Sequence, residues 1–209
     1  RLLEELTSTT TIDGLFKSTN FDSFVGLKGS DFTRGIAYPP DLLKYNTALI
    51  DFTNGFYGTV IPVGVDINSD LFSTNTSLRN ISYCWANCTF DKRAYNADGT
   101  QTIYPQINFS QLFINNNRIS NASNLFAVLG SNEANKGLLL IEGTLLQNSY
   151  NLNNVSGMFY YCSSLQGAVP LFNSLSYPIL NVVSGYLSGV SQYNITNADQ
   201  LESKFKPTE

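Results

Sequence analysis

Three cysteines are the residues best equipped for chemistry in this 209-residue chain. Cys84 and Cys88 lie close together and Cys162 stands apart, which makes no disulfide framework. A structural zinc site takes about four Cys or His ligands, and the chain has no His. That absence also removes the commonest general base and pH switch. The carboxylates do not replace it. Glu4 and Glu5, in "RLLEEL", sit on the polar side of an apparent terminal helix, where solvation is the default. Asp66, Asp70, Asp91 and Asp98 fall in polar loops without the spacing of a calcium loop, and "DGT" (98–100) reads as a turn. No Gly-rich phosphate loop appears. The expectation is no catalytic residue, no metal, no cofactor and no enzymatic activity. The enzyme alternative is a polysaccharide-cleaving β-helix, because such folds work with carboxylates and Arg or Lys alone.

Composition narrows the partners. The net charge is −4, with no Lys/Arg cluster, so a phosphate backbone would be repelled and no nucleic acid is expected. Charged residues are only 13% of the chain, about half the usual share. Asn, Ser and Thr replace them, which suits extracellular or particle-bound proteins. The longest apolar run, "GLLLIEGTLL" (137–146), is interrupted by Glu142 and Gly143 and is too short to span a bilayer. No basic amphipathic helix or signal peptide is visible. The chain opens on Arg1, so a fragment or processed product of a longer protein is expected.

The elements that position side chains come from an internal repeat. "LNNVSGMF" (152–159) is matched in phase by "LRNISYCW" (78–85), "ISNASNLF" (119–126) and "LNVVSGYL" (180–187). Weaker copies are "LIDFTNGF" (49–56) and "TTTIDGLF" (9–16). The copies start at Ile12, Phe52, Ile81, Ala122, Val155 and Val183. A second mark travels with them: Leu71-Phe72, Leu112-Phe113 and Leu171-Phe172 each precede the next copy. Insertions such as "DKRAYNADGTQTIYPQ" (91–106) make the spacing uneven. In "VSGMF" the apolar residues fall at i, i+3 and i+4, the spacing of one helical face, so a short helical turn is expected there. "LQGAVPLF" (165–172) reads as extended, bent at Gly and Pro. Such a unit buries its apolar face only by stacking on copies of itself.

The stretch "NLNNVSGMFYYCSSLQGAVPLFNSLS" (151–176) resembles the BspA-type leucine-rich repeat. Asn154, Val155, Met158, Phe159, Cys162, Ser164, Leu165, Pro170, Leu171 and Phe172 carry the likeness. "SLRNISYCWANC" (77–88) follows it fairly, and the other copies have Thr, Leu or Val in place of the Cys. Counting them all, the resemblance covers about residues 9 to 190. It implies an adhesion, recognition or scaffold role on a cell surface or in a bacteriophage particle. The fold expected is one α/β repeat domain, a right-handed leucine-rich-type solenoid with short parallel strands and short helical turns; the alternative is a parallel β-helix. Residues 1–8 would be an N-terminal cap or linker, 9–194 about six irregular repeats, and 195–209 a C-terminal cap or linker.

Within that frame the other notable residues acquire roles. Cys88 and Cys162 share a repeat phase and read as small core residues, separated by two coils and too far apart for a disulfide. Seven Asn-x-Ser/Thr sequons occur. Asn80, Asn121 and Asn154 hold one phase and read as caps or backbone binders more than as glycan acceptors. Tyr95, Tyr104, Tyr150, Tyr160, Tyr161, Tyr177 and Tyr193 lie off the core phases and form the candidate binding surface, since Tyr joins a rigid ring to a polar tip. The expected function is a non-enzymatic module displayed on a larger assembly. A phage virion structural, decoration or host-recognition protein comes first, and a bacterial adhesin binding host protein or glycan second. The expected place is the virion or the extracellular surface.

Overall fold

A computed structural model describes residues 3, 6–18, 35–36, 42–61, 65–66, 70–90, 93–95, 101–103, 112–130, 140–141, 143–163 and 165–206. Six residues form one column of parallel bridges: Thr11 to Asp51 to Asn80 to Asn121 to Asn154 to Val182. The chain therefore returns to the same place six times, and each pass is called here a coil, numbered one to six. The six repeat starts read from sequence each fall one residue beyond this column.

After the column residue each coil makes a run of β-turns. In coil five the N–H of Met158, Tyr160 and Cys162 donate to the carbonyls of Val155, Gly157 and Phe159. The intervening N–H groups point to the next coil. Val155, Gly157, Phe159 and Tyr161 donate to the carbonyls of Val182, Ser184, Tyr186 and Ser188 at 2.7 to 3.0 Å. The same four-bond set joins coils one and two, two and three, three and four, and four and five. Each backbone donor of the run is thus spent either inside its own coil or on the next one.

This geometry replaces the helical turn expected at "SGMF", and no α-helix occurs among the described residues. The third residue past the column has positive φ in every coil: Gly14, Asn54, Tyr83, Asn124, Gly157 and Gly185, from 53° to 67°. Such a residue ends a helix and completes a type II turn. Apolar spacing at i, i+3 and i+4 is common to both structures, so it could not separate them. The argument that favoured the leucine-rich form over a parallel β-helix falls with the helical turn.

Beyond the turn run the coils are joined by short parallel pairs. β1 (Gly35–Ile36) pairs with β3 (Val65–Asp66), β2 (Val60–Ile61) with β4 (Thr89–Phe90), and β7 (Leu140–Ile141) with β8 (Gln166–Gly167). The insertion at 91–106 holds an antiparallel hairpin, β5 (Arg93–Tyr95) with β6 (Gln101–Ile103). The turn expected at "DGT" lies outside the described residues.

One buried apolar cluster runs from Leu3 to Phe205. Aromatic rings stack along it from coil to coil. Phe16, Phe56, Trp85, Phe126 and Phe159 lie 5.3 to 5.9 Å apart in sequence order, all near-parallel. Phe72 stacks on Phe113 at 5.1 Å beside them. Phe172 is displaced from that file and meets Tyr177, Tyr186 and Phe205 instead.

A second internal column lies five residues before the first. Asn46, Asn75 and Asn116 are fully buried there. The Nδ2 of Asn75 donates to Leu43 O at 3.1 Å and Asn46 O at 2.8 Å. The Nδ2 of Asn116 repeats this onto Phe72 O at 3.1 Å and Asn75 O at 2.9 Å. Ser149 continues the file through its Oγ to Asn116 O at 3.0 Å. Each amide adds a second bond to carbonyls of the coil before it, which already accept one N–H within their own coil.

Candidate binding surface

The run of turns presents one face outward, and its side chains are set by the backbone bonds beneath them. Asp51, Asn80, Asn121 and Asn154 fix the start of the run. Their Oδ1 atoms accept from the N–H of Thr53, Ser82, Ser123 and Ser156 at 2.9 to 3.1 Å. These are Asx turns, which Asn and Asp favour. Asn75, also a sequon, is wholly buried with its amide donating to backbone.

Past this start the turn face carries Tyr57, Tyr83, Tyr160 and Tyr161. Tyr160 and Tyr161 meet edge to face with ring centroids 4.5 Å apart. The Nδ2 of Asn87 donates to the Tyr57 hydroxyl at 2.6 Å, and the Lys17 ammonium lies 5.1 Å from the same ring. Tyr83 and Tyr161 have φ of 57° and 53°. Their columns otherwise favour Gly, Asn or Ser, and a bulky residue there costs about 1–2 kcal/mol. A Cβ on Gly189 would lie 3.0 Å from the Tyr161 ring, so the glycine leaves room for it.

The seven tyrosines expected to bind do not act as one set. Tyr160 and Tyr161 come together. Tyr150 and Tyr193 are exposed, at 57% and 91%, on other parts of the surface. Tyr95 ends β5, opposite Gln101, and Tyr104 lies outside the described residues. Tyr177 is a correction: it is 6% exposed and belongs to the core. Its hydroxyl donates to Leu146 O at 3.2 Å and Gln147 O at 3.3 Å, in the column where the coils before it use Asn or Ser. Burial, and then Tyr150, pushes that hydroxyl up to about 12. Tyr57 and Tyr83 were missed. Their signal was position in the repeat: Tyr83 stands at the phase held by Gly157, and Tyr57 at that of Tyr160.

The three cysteines are buried and none is in a disulfide. The Sγ of Cys88 donates to Phe56 O and that of Cys162 to Phe126 O, each at 3.0 Å. The shared phase is thus a shared bond to the preceding coil. One coil separates them, where two were expected. Burial, and then Cys88, pushes the Cys84 thiol well up, away from the thiolate needed for nucleophilic chemistry. Among the described residues no three of Cys, Asp and Glu gather to hold a metal ion, and no helix is long and apolar enough to cross a membrane.

No protein-family model, curated protein or solved structure matches this chain.

Proposed function

We propose that this chain is a non-enzymatic repeat module, a right-handed solenoid of six coils borne on a larger assembly. A bacteriophage virion structural, decoration or host-recognition protein is the first reading; a bacterial surface adhesin is the second. One observation carries the binding role. Tyr83 and Tyr161 hold strained left-handed conformations on the outward turn face, where glycine or asparagine would cost less. Strain of this kind persists where an exposed ring serves a purpose. Around Tyr160 and Tyr161 the turn face carries Asn124, Asn154, Ser156 and Ser188, so its ligand is an uncharged protein surface or glycan held by ring contacts and hydrogen bonds.

The test has two parts. An antibody to the chain should label purified virions or a cell-envelope fraction, and the two readings part on which. Replacing Tyr160 and Tyr161 together by Ala should weaken attachment of that particle or cell to its target at least tenfold. Discovery of the protein free in cytoplasm with a bound metabolite, or reproducible glycan cleavage lost on changing one Asp, overturns the proposal.

A further inference from the structure

The outward turn face is not uniform along the stack. On coils one to three its polar side chains pair with one another. The Nδ2 of Asn54 donates to Asp13 Oδ1 at 3.1 Å, and that of Asn80 to Asp51 Oδ2 at 3.0 Å and Thr53 Oγ1 at 2.9 Å. The Nδ2 of Asn87 is spent on the Tyr57 hydroxyl. The same three coils carry the charges of the turn runs: Asp13, Lys17, Asp51 and Arg79. The runs of coils four to six, 119–130, 152–163 and 180–191, hold no charged residue. Past the Asx turns their polar ends are also uncommitted. Among the described residues nothing bonds the side-chain amide of Asn124 or the hydroxyls of Tyr160, Tyr161, Ser184 and Ser188.

The two rings at the centre of this uncharged patch rest on glycines. A Cβ at Gly189 would stand 3.0 Å from Cγ and Cδ1 of Tyr161, and one at Gly185 would stand 3.8 Å from Cδ2 of Tyr160. Bare backbone of coil six thus supports both rings, and Tyr161 keeps 52% of its surface exposed. The Oδ1 of Asn124 lies over Gly157, where a Cβ would come within 2.3 Å of it. A free amide, a half-exposed ring and hydroxyls therefore occupy neighbouring coils of one small area.

We infer that this patch binds a neutral glycan. The negative π face of an exposed ring attracts the weakly positive C–H face of a pyranose. The amide and hydroxyls beside it donate to and accept from sugar hydroxyls. Runs without charge favour a ligand without charge, whose binding salt does not screen. Size decides between a glycan and a protein. Three coils span roughly 10 Å at about 4.8 Å for each pass of the chain. A patch of that side is on the order of 100 Å², against ~800 Å² per partner in a stable protein contact. It matches a disaccharide in length. The inference rests on the binding role proposed above and narrows its ligand to one class.

Amide NMR spectra of the isotope-labelled chain test it, titrated with linear trisaccharides of glucose, mannose, galactose and N-acetylglucosamine. At least one should move the signals of Tyr160, Tyr161, Ser188 and Gly189, with a Kd of roughly 0.1–10 mM. That Kd should hold between about 50 and 500 mM NaCl. Tyr161→Gly removes the ring and relieves its left-handed strain, so binding should weaken at least tenfold with a Tm close to the parent's. Tyr161→Phe keeps the ring and should bind within about threefold of the parent. Four trisaccharides that leave these signals unmoved to about 20 mM, binding abolished by salt, or a Tyr161→Gly chain that binds as the parent does overturns the inference. Attachment of the particle or cell separates this from the broader role. Attachment lost in the Tyr160 and Tyr161 double variant, but not competed by any trisaccharide, overturns the glycan and keeps a protein partner. Attachment unchanged in that variant overturns both.

Discussion

Coils three to five and coil six occupy the same columns with different residues. The middle coils start on Asn80, Asn121 and Asn154, each locking an Asx turn. Coil six starts on Val182, which makes none. Their buried polar column reads Asn75, Asn116 and Ser149, and coil six has Tyr177. The middle coils stack Trp85, Phe126 and Phe159 face to face, whereas Tyr186 meets Phe159 at 74°. Each middle coil exchanges bonds with a coil on either side, whereas coil six exchanges them with coil five alone among the described residues, so its residues are released toward apolar packing and the C-terminal turns. The comparison teaches that sequence regularity here tracks the number of neighbouring coils.

The largest expected effect lies at the centre of the aromatic file. Trp85 is fully buried between Phe56 and Phe126, so Trp85→Ala should lose about 3–5 kcal/mol in urea unfolding. A loss under about 1 kcal/mol would mean that the rings are not packed as described. Next come a middle residue of the polar column and its counterpart in coil six. Asn116→Ala removes two buried amide bonds, to Phe72 O and Asn75 O, which keep their own backbone donors, and should cost about 1–3 kcal/mol. Tyr177→Phe removes a single shared hydroxyl and should cost about 1 kcal/mol. Equal losses would erase the distinction between middle and last coils.

Glycines in one column sharpen the contrast further. Gly157 and Gly185 have φ of 60° and 67°. A Cβ at Gly157 would come within 2.3 Å of Asn124 Oδ1, while one at Gly185 would find nothing closer than Tyr160 Cδ2 at 3.8 Å. Gly157→Ala should therefore cost about 2–3 kcal/mol and Gly185→Ala about 1 kcal/mol, the backbone strain alone. Thermal melts that rank them in reverse would count against the placement of Asn124.

The smallest effect is a dependence on pH. The Tyr177 hydroxyl is pushed up to about 12, and an unfolded tyrosine titrates near 10. Between those values the unfolded chain has lost a proton that the folded chain keeps, so stability falls as pH rises. Below pH 10 the contribution is fully present. Burial, and then Tyr177, pushes Tyr186 well up and adds in the same direction. Tyr177→Phe should flatten the fall in stability between pH 10 and 12, and an unchanged slope would place Tyr177 outside the core.

Much of this arrangement was legible in the sequence. The six copy starts fall beside the bridge column because large apolar residues must recur wherever the chain crosses the core. Asn80, Asn121 and Asn154 were readable as backbone-binding residues for the same reason. The buried file of Asn46, Asn75 and Asn116 was missed, although "LLKYN", "LFSTN" and "LFINN" place each Asn three residues past the paired apolar mark. Polar residues read as surface until a repeat phase shows them to be internal. The turns were misread as helical because apolar spacing is shared by both. The discriminating residue was the Gly or Asn that needs positive φ. Tyr177 was misread because its phase in the repeat, five before Val182, was not compared with that of Asn116.

Residue-resolved amide exchange on the dilute protein tests the stack most directly. The N–H groups of Val155, Gly157, Phe159 and Tyr161 are bonded to coil six, whereas those of Val183, Gly185, Leu187 and Gly189 meet no backbone acceptor among the described residues. The account predicts slow exchange for the first four and exchange at least about a hundredfold faster for the second four, with Tyr186, Ser188 and Val190 slow between them. Equal rates for the two sets, or fast exchange at Val155, Gly157, Phe159 and Tyr161, would contradict it.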